Sequence, residues 1–223
     1  MFITLRKEAL HDVASAARHW FPFVTIALAG IAALASWQYE MGNALVRNFA
    51  EVLPSSSWLN WAERWPGSFF VASPLFGNSV DSLLAAALIG LTVGVTEWCE
   101  GWKRALSKVF VFQALGCIAT RLYEISGLLP PDKMHIPDVG SSAVIVALTA
   151  AFLTEKIQKH SQHGNSLKLA MYGGALAVLT AGTTAGFVAL GDPTSAVAHG
   201  ASVGTGIAAS LLWRRQPISL YTE

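Results

Sequence analysis

The chain has 223 residues, of which 53% are hydrophobic and only 13% are charged, with a formal net charge of +1 at pH 7. Soluble domains usually carry about 25% charged residues, so this composition indicates a membrane protein. The near-neutral charge gives no basis for nucleic-acid binding, the two cysteines provide neither a disulfide framework nor a metal cluster, and no cofactor motif is present.

The N-terminal part of the chain contains the first candidate span. Residues 1–19 are polar and mildly basic with interleaved apolar side chains, which predicts a short cytoplasmic segment at the membrane interface. The uncharged stretch 20–37 has about the length that a bilayer requires, with tryptophans at both ends as interfacial anchors. A signal peptide is the competing interpretation, because Ala33-Leu34-Ala35 resembles a cleavage site; the long, partly acidic lead argues against it.

Residues 38–80 mix aromatic, turn-forming and charged side chains, and no spanning segment fits before Asn78. The aromatic residues Trp58, Trp61, Trp65 and Phe69 predict a large structured loop that is half-immersed in the membrane interface. The stretch is too long to be a simple connection between two helices.

Apolar runs predict a six-helix membrane domain over residues 20–213, followed by a short cytoplasmic tail over 214–223. His160 and His163 fall in a polar stretch that we predict to be a solvent-exposed loop, in preference to a metal site. Arg121 and Glu124, three residues apart, are predicted to pair with each other or to extend toward the interface. The six predicted spans are 20–37, 80–99, 108–126, 139–153, 167–190 and 194–213.

The distribution of basic residues predicts the topology. With a cytoplasmic N-terminus, eleven of the 15 Lys and Arg residues lie on the cytoplasmic side and four outside, so the positive-inside rule predicts an N-in, C-in, multi-pass protein of the plasma membrane. The fourth and sixth spans then begin at the outer face. His199 follows Asp192 by seven residues, or roughly 10 Å of helix, so Ser142 and His199 are expected at comparable depth.

A serine and a histidine in neighbouring spans could form a nucleophilic site. A serine hydroxyl needs a base to take its proton, and histidine is the usual base. A histidine within a span is costly and suggests a function, the alternative being a hydrogen-bond partner between helices. Gly140 beside Ser142, and Gly200 and Gly204 beside His199, are small residues that would let the two helices pack closely.

These motifs resemble the rhomboid family of intramembrane serine proteases. Gly140-Ser141-Ser142 matches the Gly-x-Ser motif that the family has at the outer end of its fourth helix, and the stretch from His199 to Gly206 is similar to its histidine-plus-glycine pattern in the sixth. Glu97 and Gly101, followed by Lys103-Arg104, resemble the exit of the family's second helix. The resemblance covers roughly residues 78–213. It is closest to the divergent actinobacterial rhomboid-like branch, whose fourth helix opens with Asp-Val-Gly-x-Ser, and so implies a bacterial membrane protein.

The resemblance implies a fold and a set of site residues. The expected fold is an all-α, six-helix rhomboid-like bundle with a large loop between its first two spans. Ser142 would be the nucleophile and His199 the base. The residues expected to support the oxyanion and close packing are Gly140, Ser141, Gly200 and Gly206.

The second helix departs from the family pattern. Typical rhomboids carry a histidine and an asparagine there, which help to hold the oxyanion, whereas Asp81 and Ala85 occupy those positions here. An ionised aspartate cannot donate a hydrogen bond, and losing such a donor typically costs about 10²–10³ in rate. Two functions therefore stay open: a protease that cleaves transmembrane substrates near the outer face, and an inactive pseudoprotease that binds transmembrane helices. A small-solute transporter is disfavoured, because the polar residues gather at the outer ends of the helices.

Overall fold

The computed structural model describes residues 22–51, 57–68, 70, 79–128, 142–189 and 191–212. These residues form eight α-helices and no strand, so the predicted all-α class is confirmed for the part of the chain that is described. The helices are α1 (Phe23–Glu40), α2 (Ala44–Ala50), α3 (Trp58–Ser68), α4 (Ser79–Glu100), α5 (Trp102–Ile125), α6 (Ser142–Gln162), α7 (Ser166–Ala189) and α8 (Pro193–Leu212).

Three helices, α5, α7 and α8, are long and apolar enough to cross a membrane. They coincide with the predicted spans 108–126, 167–190 and 194–213. The other long helices, α1, α4 and α6, have 18, 22 and 21 residues and lie on the remaining three predicted spans. A membrane protein is therefore supported by length and composition, while six membrane crossings with an N-in, C-in topology stay a prediction.

The helix ends differ from the predicted spans where polar residues continue a helix. Helix α5 begins at Trp102, before the predicted start at 108, and α6 continues to Gln162. His160 therefore lies in the last turns of α6 rather than in the predicted loop, and its ring stacks on Tyr172 of α7 at 5.5 Å. The charged residues after 153 are good helix formers, and the chain turns only at Gly164, where φ is +65°.

The described part of the stretch between α1 and α4 is helical, because it contains α2 and α3. Phe69 and the side chains of Trp61 and Trp65 lie outside the described residues. Asn43 caps α2 by accepting hydrogen bonds from the backbone N–H groups of Leu45 and Val46. Helix α3 contacts the bundle through Ser68, whose hydroxyl accepts a hydrogen bond of 3.1 Å from Gln113 of α5. The immersion of this stretch in the membrane interface stays a prediction.

Consecutive long helices run antiparallel. Thr25 near the start of α1 meets Glu97 near the end of α4, and Lys108 near the start of α5 meets Glu155 in the second half of α6. Helix α6 forms the centre of the bundle with a row of buried alanines, Ala143, Ala147, Ala150 and Ala151. Helix α7 has no buried residue and, among the described helices, contacts only α6 and α8. It is therefore a peripheral helix.

Buried charges join the helices at the end of the bundle where α4 meets α5. The Nζ atom of Lys108 lies 2.6 Å from Glu100 and 3.7 Å from Glu155, so one ammonium group links α4, α5 and α6. The carboxylate of Glu97 accepts bonds of 2.9 and 2.7 Å from the backbone N–H and hydroxyl of Thr25. Glu97 thereby caps the first turn of α1, where the helix dipole favours a negative charge.

A second buried ion pair lies near the opposite end of α5. Arg121 and Glu124 pair at 3.1 Å with both side chains buried, which confirms the predicted pairing. The guanidinium group also lies over the ring of Trp58 in α3, 5.3 Å from its centroid. Buried charges are stable only when they are paired, and the contact with Trp58 in addition joins α3 to α5.

Candidate functional site

Helices α6 and α8 pack closely at Gly206. A Cβ atom at this position would overlap the backbone oxygen of Ala147 and lie 3.1 Å from the Cβ of Ala150. No side chain larger than hydrogen fits between the two backbones at their present separation. Gly206 therefore sets the distance between the helices that carry the predicted serine and histidine.

A second contact fixes the register of these helices. Gly116 of α5 faces both of them, since a Cβ there would lie 2.9 Å from the Cβ of Ala143 and 3.3 Å from the Oγ of Ser202. Ala143 and Ser202 thus lie at one level, and Ala147 and Gly206 lie at another, four residues further along each helix. The two helices run parallel in constant register.

This register aligns Ser142 and His199. Ser142 lies level with Ala201, two residues beyond His199, so the two levels differ by about 3 Å along the axis at 1.5 Å per residue. Both residues lie at the end of the bundle where α6 and α8 begin. The expectation of comparable depth, made by counting residues from Asp192, agrees with this geometry.

The ring of His199 is held from two sides. It is 4% exposed, and its Nδ1 atom lies 2.6 Å from the backbone oxygen of Ser195, one turn earlier in α8. A carbonyl oxygen accepts only, so Nδ1 carries the proton and the lone pair of the neutral ring is on Nε2. Phe187 of α7 stacks on the ring with centroids 4.6 Å apart and planes within 10°.

Ser142 is the first residue of α6 and is half-buried. Both it and His199 belong to the described residues, and no hydrogen bond joins them there. Catalytic hydrogen bonds are often longer in a free enzyme and tighten when substrate binds. The first four N–H groups of a helix lack partners within the helix, and in α6 this first turn begins at Ser142.

The other predicted site residues are distributed as follows. Gly140 and Ser141 lie outside the described residues, as do the predicted terminal segments 1–19 and 214–223. The prediction that Gly200 and Gly204 pack against α6 is wrong: a Cβ at Gly200 would lie 3.1 Å from Cγ2 of Thr184 in α7, and a Cβ at Gly204 would meet no atom within 4 Å. Asp81 and Ala85 belong to α4, and their side chains are outside the description.

Sequence reasoning missed Gly116 and Phe187. Each acts through the packing of one helix face on another, and neither belongs to a motif with recognisable spacing. Ser202 is fully buried and donates its hydroxyl to the backbone oxygen of Ala198 at 2.7 Å, so it packs between helices without facing a cavity. Within the described ranges no three His, Cys, Asp or Glu side chains form a group that could hold a metal ion.

Comparison with known proteins gave no match: no family model, no curated protein and no solved structure is similar to this chain.

Proposed function

We propose that this chain is a rhomboid-like intramembrane serine protease of six spans, N-in and C-in, in which Ser142 and His199 form the catalytic dyad. The three apolar helices α5, α7 and α8 support a membrane location, and the alternating directions of the six long helices are compatible with six crossings. The substrates would be transmembrane proteins that unwind near the outer face.

The observation that carries the proposal is the paired geometry of α6 and α8. Their constant register brings the serine and the histidine to nearly the same level, and the contact between Nδ1 of His199 and Ser195 leaves Nε2 as the basic atom. That tautomer is the one that a general base requires when it activates a serine.

The reaction then follows from these two groups. The Oγ atom of Ser142 attacks the carbonyl carbon of the scissile peptide bond while Nε2 of His199 takes the hydroxyl proton. The tetrahedral intermediate collapses by breaking the C–N bond, and the imidazolium gives its proton to the leaving amine. Water, deprotonated by the same nitrogen, hydrolyses the acyl-enzyme and restores both side chains.

The developing oxyanion would be stabilised by backbone amides alone. The N–H groups of the first turn of α6 lie at the positive end of the helix dipole, next to Ser142. Neither residue of α4 offers a side-chain donor, because Asp81 has none when it is ionised and Ala85 is apolar. We therefore expect slow turnover, because each missing donor costs about 10²–10³ in rate.

A catalytically inactive rhomboid-like protein that binds transmembrane helices is the second candidate. Two observations favour it: Ser142 and His199 are not hydrogen-bonded within the described structure, and α4 carries Asp81 and Ala85 in place of the oxyanion donors. In that case Ser142 and His199 are packing residues, and replacing the serine by alanine would leave function intact.

Labelling with a fluorophosphonate serine probe tests the proposal on the detergent-purified protein. The wild-type chain is compared with Ser142→Ala, His199→Ala and Ser166→Ala, the last being an exposed serine at the start of α7 and hence the matched control. We expect labelling in the wild type and in Ser166→Ala, and none in the two dyad variants.

The alternative outcomes are distinct. Labelling that persists in Ser142→Ala would assign the reactive serine elsewhere and refute the dyad. Absence of labelling in every variant, under conditions in which an active rhomboid reacts, would support the inactive binding protein.

A further inference from the structure

A groove of about 450 Å³ lies between α1 and α5. Its volume is in the usual range of ligand-binding pockets. Both helices begin at the same end of the bundle, since Glu97 caps the first turn of α1 and Gly101 joins α4 directly to α5. Six apolar side chains line it: Phe23, Val24, Ala27, Leu28, Trp102 and Leu106.

Exposed tryptophans mark the level of this groove. Trp98, at the end of α4, is 59% exposed, and Trp102, at the start of α5, is 53% exposed. Tryptophans concentrate where hydrocarbon meets the headgroup region, because the indole ring is largely apolar and carries one polar N–H group. The groove therefore opens at the membrane interface, on the side that the basic residues predict to be cytoplasmic.

The charge that faces outward at this level is positive. The Nζ atom of Lys103 lies over the ring of Trp102, 5.5 Å from its centroid, which brings the ammonium group to the mouth of the groove. Arg104 is exposed on the same turn. Among the described residues, the acidic side chains of this end bond within the bundle, Glu97 to α1 and both Glu100 and Glu155 to Lys108.

We propose that this groove binds an anionic phospholipid, with one acyl chain between α1 and α5 and the headgroup phosphate contacted by Lys103, supported by Arg104. No described carboxylate pairs with Lys103 or Arg104. An apolar groove beneath two such cations matches a ligand that joins a hydrocarbon chain to a negative charge. Basic residues at the cytoplasmic ends of membrane helices attract anionic headgroups in this way. The site requires only the membrane location and is independent of whether Ser142 is catalytic.

Native mass spectrometry of the purified full chain, titrated with phosphatidylglycerol or phosphatidylcholine, tests the headgroup contact. We expect phosphatidylglycerol to bind more tightly, and the variant K103Q/R104Q to weaken it by roughly ten- to thirtyfold, from about 1 kcal/mol per basic residue. The matched control K156Q/K159Q removes two lysines of α6 away from the groove and should leave the affinity unchanged. Equal affinity for the two lipids, or equal weakening by both double variants, would overturn the proposal.

A second pair of variants tests the acyl-chain contact. Ala27→Phe fills the groove at an exposed position without changing charge, whereas Leu34→Phe adds bulk on α1 outside it. We expect only Ala27→Phe to weaken phosphatidylglycerol binding. If both variants bind like the wild type, the acyl chain does not occupy the groove and the proposal fails.

Photo-crosslinking identifies the occupant directly. With benzoylphenylalanine at position 106, irradiation in phosphatidylglycerol vesicles should give a lipid adduct, detected by mass spectrometry of the α5 peptide. A crosslink to residues 1–21 in place of the lipid adduct would show that the N-terminal segment of the chain fills the groove, and would refute the lipid site.

Discussion

Replacement of Gly206 by alanine tests how closely α6 and α8 are packed. The added Cβ would overlap the backbone oxygen of Ala147 and lie 3.0 Å from its carbonyl carbon. Backbone atoms cannot rotate away as a flexible side chain can, so the two helices must separate. Overpacking of this kind typically costs about 1–3 kcal/mol.

Gly204→Ala is the matched control for this substitution. It lies on the same helix, two residues earlier, and a Cβ there would meet no atom within 4 Å. Both variants gain about 1 kcal/mol because alanine favours a helix over glycine. The difference between their unfolding free energies therefore isolates the packing cost, and we expect Gly206→Ala to be the less stable by about 1–3 kcal/mol.

Thermal unfolding of the purified proteins in one detergent measures this difference. At roughly 2–4 °C per kcal/mol for a chain of this size, a cost of about 2 kcal/mol separates the two midpoints by about 4–8 °C. Labelling of Ser142 should fall in Gly206→Ala, because the serine and His199 move apart with their helices. A Tm for Gly206→Ala equal to or above that of Gly204→Ala would refute the close packing.

Three further substitutions test other contacts. Phe187→Ala should slow labelling of the serine by up to about tenfold, because the aromatic stack on the histidine is worth about 0.5–1.5 kcal/mol. The control Val188→Ala, at an exposed position, should not slow it, and equal labelling rates in the two variants would show that Phe187 does not position His199. Glu97→Gln should lower the free energy of unfolding by about 1–3 kcal/mol, because its hydrogen bonds to the first turn of α1 become weaker. An unchanged denaturation midpoint would show that Glu97 does not stabilise the start of α1. Lys108→Met should lower the free energy of unfolding by about 3 kcal/mol, because the carboxylate of Glu100 loses its ion-pair partner. Adding Glu100→Gln should restore part of the loss, so a double variant as unstable as Lys108→Met would argue against the ion pair.

Hydropathy predicted where the long helices lie, because an apolar run of about 20 residues is both a candidate span and a helix. It did not predict where they end. The polar stretch from Glu155 to Gln162 continues α6. Hydropathy indicates where a chain leaves the hydrocarbon region, whereas helix propensity and glycine determine where the helix ends. His160 was misplaced for this reason.

The candidate site was predictable only in part. Counting residues from the predicted helix starts placed Ser142 and His199 at comparable levels along their helices, because helical rise is constant. The contacts of Phe187 and Gly116 depend on which faces of the packed helices meet, and no local pattern encodes that. The ion pairs of Lys108 with Glu100 and Glu155 were missed for the same reason, since the two carboxylates lie on different helices.

The peripheral position of α7 gives the proposed site a mechanical property. This helix buries no residue of its own, yet Phe187 touches the ring of His199. In a bilayer, a helix that faces hydrocarbon over most of its surface tilts when the lipid thickness changes, because it must match its apolar length to its surroundings. Tilt of α7 would slide the phenyl ring across the imidazole. Membrane thickness would then change the orientation of the proposed base, His199, without any ligand binding at the site.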